Sequence, residues 1–183
     1  MDCSSGLEIH TISERSQEGL VCFLSSWASV PFEETHLYVL DADRRAAQIL
    51  EAREDPFSGR EIDVEASELS RVCGSNPDIV GSIYLTSHRP EVNSAFLGLT
   101  LDDRIVYGLE LERDAAADPW APEGTPARAD LDALGALVMR FTADMNGMEG
   151  LCTSETPPCM STRAWRDLAA SRASALHCRR RPL

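Results

Sequence analysis

The chain has 183 residues, 43% of them hydrophobic and 26% charged, a balance typical of one globular domain rather than of a disordered chain. Its 30 acidic and 17 basic residues give a formal net charge of −13, which argues against free nucleic acid as a partner, because phosphate binding needs a basic patch. All the basic residues are arginine, and a chain without lysine cannot form a Schiff base or complete a Walker phosphate loop.

From the sequence we expect neither a signal peptide nor a disulfide framework. Met1–Gly6 lacks the basic and apolar regions of a signal peptide, and no apolar run approaches the roughly 18 residues of a membrane helix. We therefore expect a cytoplasmic protein without a membrane span. Because the chain is long enough to fold without disulfides, we expect reduced thiols at Cys3, Cys22, Cys73, Cys152, Cys159 and Cys178.

Strand and helix signals alternate in the first part of the chain. Alternating or β-branched apolar residues predict strands at Leu7–Ile12 and His36–Leu40. A helix that continues to Trp27 is predicted after the first strand, with Ser13 or Ser16 as its N-cap. The acidic residues of Asp41-Ala42-Asp43 predict the start of another helix after the second strand.

The clearest β signal is a hairpin in the middle of the chain. It follows a weak stretch at 55–77, where we expect a loop with one short element, and a strand at Gly81–Thr86. Apolar residues alternate through Phe96–Leu101 and Ile105–Glu112. We predict a three-residue turn, Asp102–Arg104, which pairs Leu101 with Ile105 and Leu99 with Tyr107 and so places both apolar rows on one face.

The second half of the chain predicts two helices. A proline-rich linker spans 113–126, and a stripe of apolar residues from Leu131 to Met148 predicts a long amphipathic helix that Gly147 and Gly150 end. Ser161 can cap a last helix that carries Trp165. We predict one α+β domain over 1–174, a mostly antiparallel sheet of about five strands with helices packed against it, and a mobile basic tail over 175–183.

Three sets of residues invite a catalytic or metal-binding interpretation. Asp41 and Asp43 follow a strand, where carboxylates can hold Mg²⁺, but capping a helix accounts for both of them. A zinc site would need the widely spaced set Cys152, Cys159, His177 and Cys178, and Cys152 could instead pair with Cys159. We interpret His10 and His36 as sheet residues. We predict no catalytic residue, no metal and no cofactor.

The densest charge lies on the hairpin and the segment that leaves it. The functional interpretation is an electronegative surface that steers a basic partner, and the structural one is a solvated strand with protective charges. A tryptophan in the proline-rich linker is a candidate apolar anchor for the same partner. The predicted partner-binding residues are Asp102, Asp103, Glu110, Glu112, Asp114 and Trp120.

Four features together resemble the immunity proteins of bacterial polymorphic toxin systems. They are the strand Gly81-Ser-Ile-Tyr-Leu85, the hairpin from Phe96 to Leu109, the long amphipathic helix, and Glu155-Thr-Pro-Pro158 leading into Trp165. The resemblance implies a small acidic α+β protein that binds a cognate toxin and covers its active surface. Such families share no binding residues, so the resemblance assigns none here.

Two other functions remain open at this point. A secretion chaperone or adaptor is also acidic and binds a segment of its client, commonly as a homodimer. A small metal-dependent hydrolase would use Asp41 and Asp43, and metal would then raise its melting temperature. The sequence does not fix the oligomeric state, the identity of a toxin or the role of the arginine-rich carboxyl end.

Overall fold

A computed structural model describes residues 7–41, 60–111, 131–153, 161–171 and 174–179, and within them the backbone forms eight strands and four α-helices. The strands are β1 Leu7–Glu14, β2 Ala28–Val39, β3 Arg60–Ile62, β4 Ile79–Ser87, β5 Val92–Leu99, β6 Arg104–Leu111, β7 Glu149–Thr153 and β8 Ser174–Arg179. The helices are α1 Gln17–Ser26, α2 Leu69–Ser75, α3 Leu131–Asp144 and α4 Thr162–Ala170, with a 3₁₀ turn at Ala66–Glu68.

The strands form one sheet in the order β3-β2-β4-β5-β6-β1-β7-β8, and every described pairing is antiparallel. The predicted class, α+β with a mostly antiparallel sheet, is confirmed. The predicted size of about five strands is wrong, because the described part of the sheet alone has eight. Strands β3 and β7 are three and five residues long, too short to produce a clear alternating pattern.

The pleat of the sheet separates two apolar layers. On the face that we call the helical face, α1, α2 and α3 pack over residues such as Ile9, Leu97 and Tyr107. On the opposite face, the back face, Trp165 and Leu168 of α4 pack on a smaller cluster formed by Ile12, Val106 and Leu151. Successive residues of a strand point to opposite faces, so each strand contributes to both layers.

The hairpin forms with a different register from the predicted one. Leu99 pairs with Ile105, and Leu97 pairs with Tyr107. The backbone N–H of Thr100 donates to the carbonyl of Arg104 at 3.0 Å, so the three-residue turn is 101–103, one position earlier than predicted. Asp103 takes the left-handed conformation, with φ of 60°. Leu101 therefore leaves the strand and packs with Leu40 and Val80 instead, while the other apolar residues still share one face.

Capping contacts define three helix ends, and the sequence predicted the two serine caps. Ser16 caps α1 by accepting from the N–H of Gly19, and Ser161 caps α4 by accepting from the N–H of Ala164. At the end of α3, Asn146 has φ of 49° and the N–H of Gly147 donates to the carbonyl of Thr142 at 2.7 Å. This Schellman geometry explains why the helix ends at Asp144, before the glycines that were expected to end it.

The carboxyl end forms a strand where the sequence predicted a tail. Ser174–Arg179 forms strand β8, which pairs with β7, so the part of the predicted tail up to Arg179 belongs to the sheet. Cys178 on this strand packs against the main core, and the apolar side chain of Leu176 does the same. The predicted helix after Asp41 and the linker at 113–126 lie outside the described residues.

Candidate functional site

The structure places three of the six predicted partner-binding residues, and it separates them. Asp102 and Asp103 lie in the turn between β5 and β6, whereas Glu110 lies near the far end of β6. At about 3.3 Å per strand residue, Glu110 is roughly 20 Å from the turn. Glu112, Asp114 and Trp120 lie outside the described residues. The three placed carboxylates therefore do not form one cluster.

Asp102 connects the hairpin to the last helix. Its Oδ2 accepts a hydrogen bond from the N–H of Thr162, the first residue of α4, at 2.9 Å. Burial by itself raises the pKa of the Asp102 carboxyl, but hydrogen bonds from Thr162, Thr100 and its own backbone outweigh burial and lower the pKa below its usual value. The local role of Asp102 is thus to fix the start of α4 against the hairpin.

We predict that Asp102→Asn lowers the free energy of unfolding by about 1 kcal/mol at neutral pH, because it weakens a helix-end contact. A carboxyl whose pKa is depressed in the folded state stabilises the protein above the unfolded pKa, and this contribution is lost as pH falls through the folded pKa. The difference between wild type and variant should therefore shrink from pH 7 to acid pH in urea titrations. A difference that does not change with pH would contradict this role.

Asp103 is paired with a buried arginine. Its Oδ1 lies 3.2 Å from Nε of Arg15, whose side chain is 3% exposed. The same guanidinium donates to the carbonyls of Asn76, Ile79 and Thr100 at 2.8, 2.7 and 3.1 Å. Asp103 itself stays 55% exposed. The carboxylate of Asp103 therefore helps to hold the side chain of Arg15 in place, and it also adds negative charge to the surface.

Glu110 belongs to a polar group on the back face. It lies directly across from Glu8 on β1, and the hydroxyl of Ser94 donates to its Oε2 at 2.7 Å. Nε2 of His10 lies 3.0 Å from Oε2 of Glu8, and His10 is 1% exposed. The carboxylates of Glu8 and Glu110 are thus neighbours, and each has one hydrogen-bond partner, His10 for Glu8 and Ser94 for Glu110. His10 is a sheet residue, as predicted, but its Nδ1 has no hydrogen-bond partner among the described residues.

The zinc interpretation does not fit the described geometry. Cys152 and Cys178 pack in the core of the helical face, whereas His177 contacts Glu149 on the back face. Among the described residues, no three histidine, cysteine or acidic side chains are placed to hold a metal ion. Burial raises the pKa of the Cys73 and Cys152 thiols to about 12, so both stay protonated at neutral pH. Cys159 and Asp43 lie outside the described residues.

A different acidic surface lies at the β3 edge of the sheet. Glu61, Asp63 and Glu65 follow one another along β3 and the segment after it, and all three are exposed. Within the described part of the chain, their side chains make no hydrogen bond or ion pair. We call these three residues the acidic edge. The alternation of acidic and apolar residues from Glu61 to Glu65 is the sequence signal that could have identified it, because it is typical of a strand with one charged face.

None of the described helices is both long and apolar enough to span a membrane. Comparisons with protein-family models, with curated proteins and with solved structures found no match to this chain.

Proposed function

We propose that this protein is an acidic binding protein that neutralises a cognate basic toxin by covering the toxin's active surface. The observation that carries the proposal is the acidic edge, three exposed carboxylates that have no side-chain partner among the described residues, in a chain of net charge −13. Carboxylates that are already engaged inside the protein, such as Asp102, are less available to a partner. Those of the acidic edge are exposed at the surface.

The mechanism has an electrostatic step and a packing step. A concentrated negative potential speeds diffusional encounter with a basic surface and has its largest effect at low ionic strength. Apolar and aromatic contacts at the centre of the interface then slow dissociation. Inhibition follows because the bound protein excludes the toxin's substrate, so the proposed function needs no chemical step on this chain.

Expression in bacteria tests the function directly. The protein serves as bait in a lysate of its source, the bound proteins are identified by mass spectrometry, and each is then expressed alone and together with the bait. We expect a basic protein that arrests growth when it is expressed alone and allows growth when the bait is present. Captured proteins that do not affect growth, or a toxic one that the bait does not neutralise, would contradict the proposal.

A further inference from the structure

Tyr84 stands out on the back face as an exposed aromatic side chain. Ile83 and Leu85 on either side of it are buried in the core of the helical face, so Tyr84 points to the back face, where it is 38% exposed. It is one of only four large hydrophobic side chains that are exposed within the described residues. Aromatic residues, tyrosine among them, are enriched at protein–protein interfaces relative to the rest of the surface.

Tyr84 lies beside closely packed aromatic rings on the back face. Phe96 is its cross-strand partner, with 6.2 Å between ring centroids, and the Phe96 ring lies over Gly108, where a Cβ would come within 2.0 Å of it. The other side of Phe96 meets the ring of His10 at 5.0 Å. A Cβ on Gly98, on the same face, would meet Val106 at an ordinary 3.8 Å. Tyr84 therefore lies at one end of a row of packed aromatic rings.

Carboxylates flank this aromatic row on both sides. Glu61 of the acidic edge pairs with Tyr38 on the back face, two strands from β4, and Glu110 lies on the back face two strands away in the other direction. At about 4.8 Å per strand and about 3.3 Å per residue along a strand, Glu110 is roughly 12 Å from Tyr84 and two residues from its row, and Glu61 is roughly 16 Å from Tyr84 and four residues from its row. An aromatic centre with an acidic border complements a basic protein surface, because an arginine can stack on the aromatic ring while carboxylates balance its charge.

We propose that the back face around Tyr84 is the surface on which the basic toxin docks, with Tyr84 as its central anchor. This inference rests on the proposed function and adds the location of the contact and the chemistry of the partner, an arginine- or lysine-rich protein surface. The acidic edge lies at one border of this surface, so encounter and docking involve adjacent parts of the molecule.

Calorimetry with the purified, catalytically inactivated toxin from the growth experiment tests the docking surface. Tyr84→Ala should weaken the Kd at least about tenfold, as removal of a central aromatic anchor does. Met139→Ala is the matched control, because Met139 is 58% exposed on α3, over the other face, and should leave the Kd within about twofold. Melting temperatures of both variants establish that they are folded.

Benzoylphenylalanine placed at position 84 or 139 provides a second readout that does not depend on stability. We expect light-induced cross-links to the toxin from position 84 and none from position 139. Tyr84→Ala with an unchanged Kd, or cross-links from position 139 alone, would overturn the docking surface and leave the proposed function standing. A bait that neutralises no toxin at all would overturn both proposals.

Discussion

Gly81→Ala should lower the free energy of unfolding by more than about 3 kcal/mol, because no alanine fits the backbone that Gly81 adopts. Gly81 lies in β4 with φ of 131°, and it is paired with β2 on one side and β5 on the other. A Cβ there would lie 1.9 Å from the carbonyl oxygen of His36. Neither backbone can move without disturbing central pairs of the sheet. Urea denaturation followed by circular dichroism measures the loss.

Gly98→Ala is the matched control for this prediction. Gly98 lies on the neighbouring strand β5, across from Ser82, and a Cβ there would meet only Val106 Cβ, at an ordinary 3.8 Å. We expect a change of less than about 1 kcal/mol, since a strand glycine can gain from a side chain that fits. Equal losses for the two variants would contradict the account of Gly81.

Arg15→Met should lower the free energy of unfolding by about 3 kcal/mol, because it removes the donor for three backbone carbonyls at once. The guanidinium of Arg15 donates to three backbone carbonyls, those of Asn76 just after α2, Ile79 at the start of β4 and Thr100 just after β5. It thereby holds the end of β1 against these segments. Methionine keeps much of the side-chain volume, so the lost hydrogen bonds dominate the difference in urea denaturation.

Arg15→Lys separates charge from geometry at this position. Lysine keeps the positive charge opposite Asp103 but cannot present the planar set of donors that reaches three carbonyls. We expect most of the loss to persist in the lysine variant. Full recovery with lysine would show that the ion pair with Asp103 dominates, against our expectation.

Elements with a strong local signal could be predicted from the sequence. The serines that cap α1 and α4, the apolar stripe of α3 and the hairpin all depend on residues within a few positions of one another. The register of the hairpin could not be predicted, because it depends on Leu101 finding a second site with Leu40 and Val80. That contact is tertiary.

The remaining strands are stabilised mainly by their neighbours. Only four residues separate the end of α3 from the start of β7, and the alternation of β7 is interrupted by Gly150. β8 contains polar and charged residues and is a strand because β7 pairs with it along Glu149–Thr153. Propensity is a weak guide for such segments, since packing and pairing decide their conformation.

The candidate site was only partly visible in the sequence for the same reason. Local charge density pointed to Asp102 and Asp103, yet Asp102 is engaged by Thr162, 60 residues later, and Asp103 by Arg15. Glu61, Asp63 and Glu65 lie in a stretch with weak secondary-structure signals, so their exposure at a sheet edge depends on β3 pairing with β2. Charged residues can be counted from the sequence, but the fold decides which of them are exposed to a binding partner.

The central claim, that the acidic edge steers a basic toxin, is tested most directly by association rates of the purified toxin with two triple variants. One carries Glu61→Gln, Asp63→Asn and Glu65→Gln, and the other removes three exposed charges from the helical layer, with Glu18→Gln, Asp132→Asn and Asp144→Asn. Both change the net charge equally. At low ionic strength we expect the edge variant to associate at least about tenfold more slowly than wild type and the control to stay within about twofold, with the gap closing at high salt. Equal rates for the two variants would contradict the account.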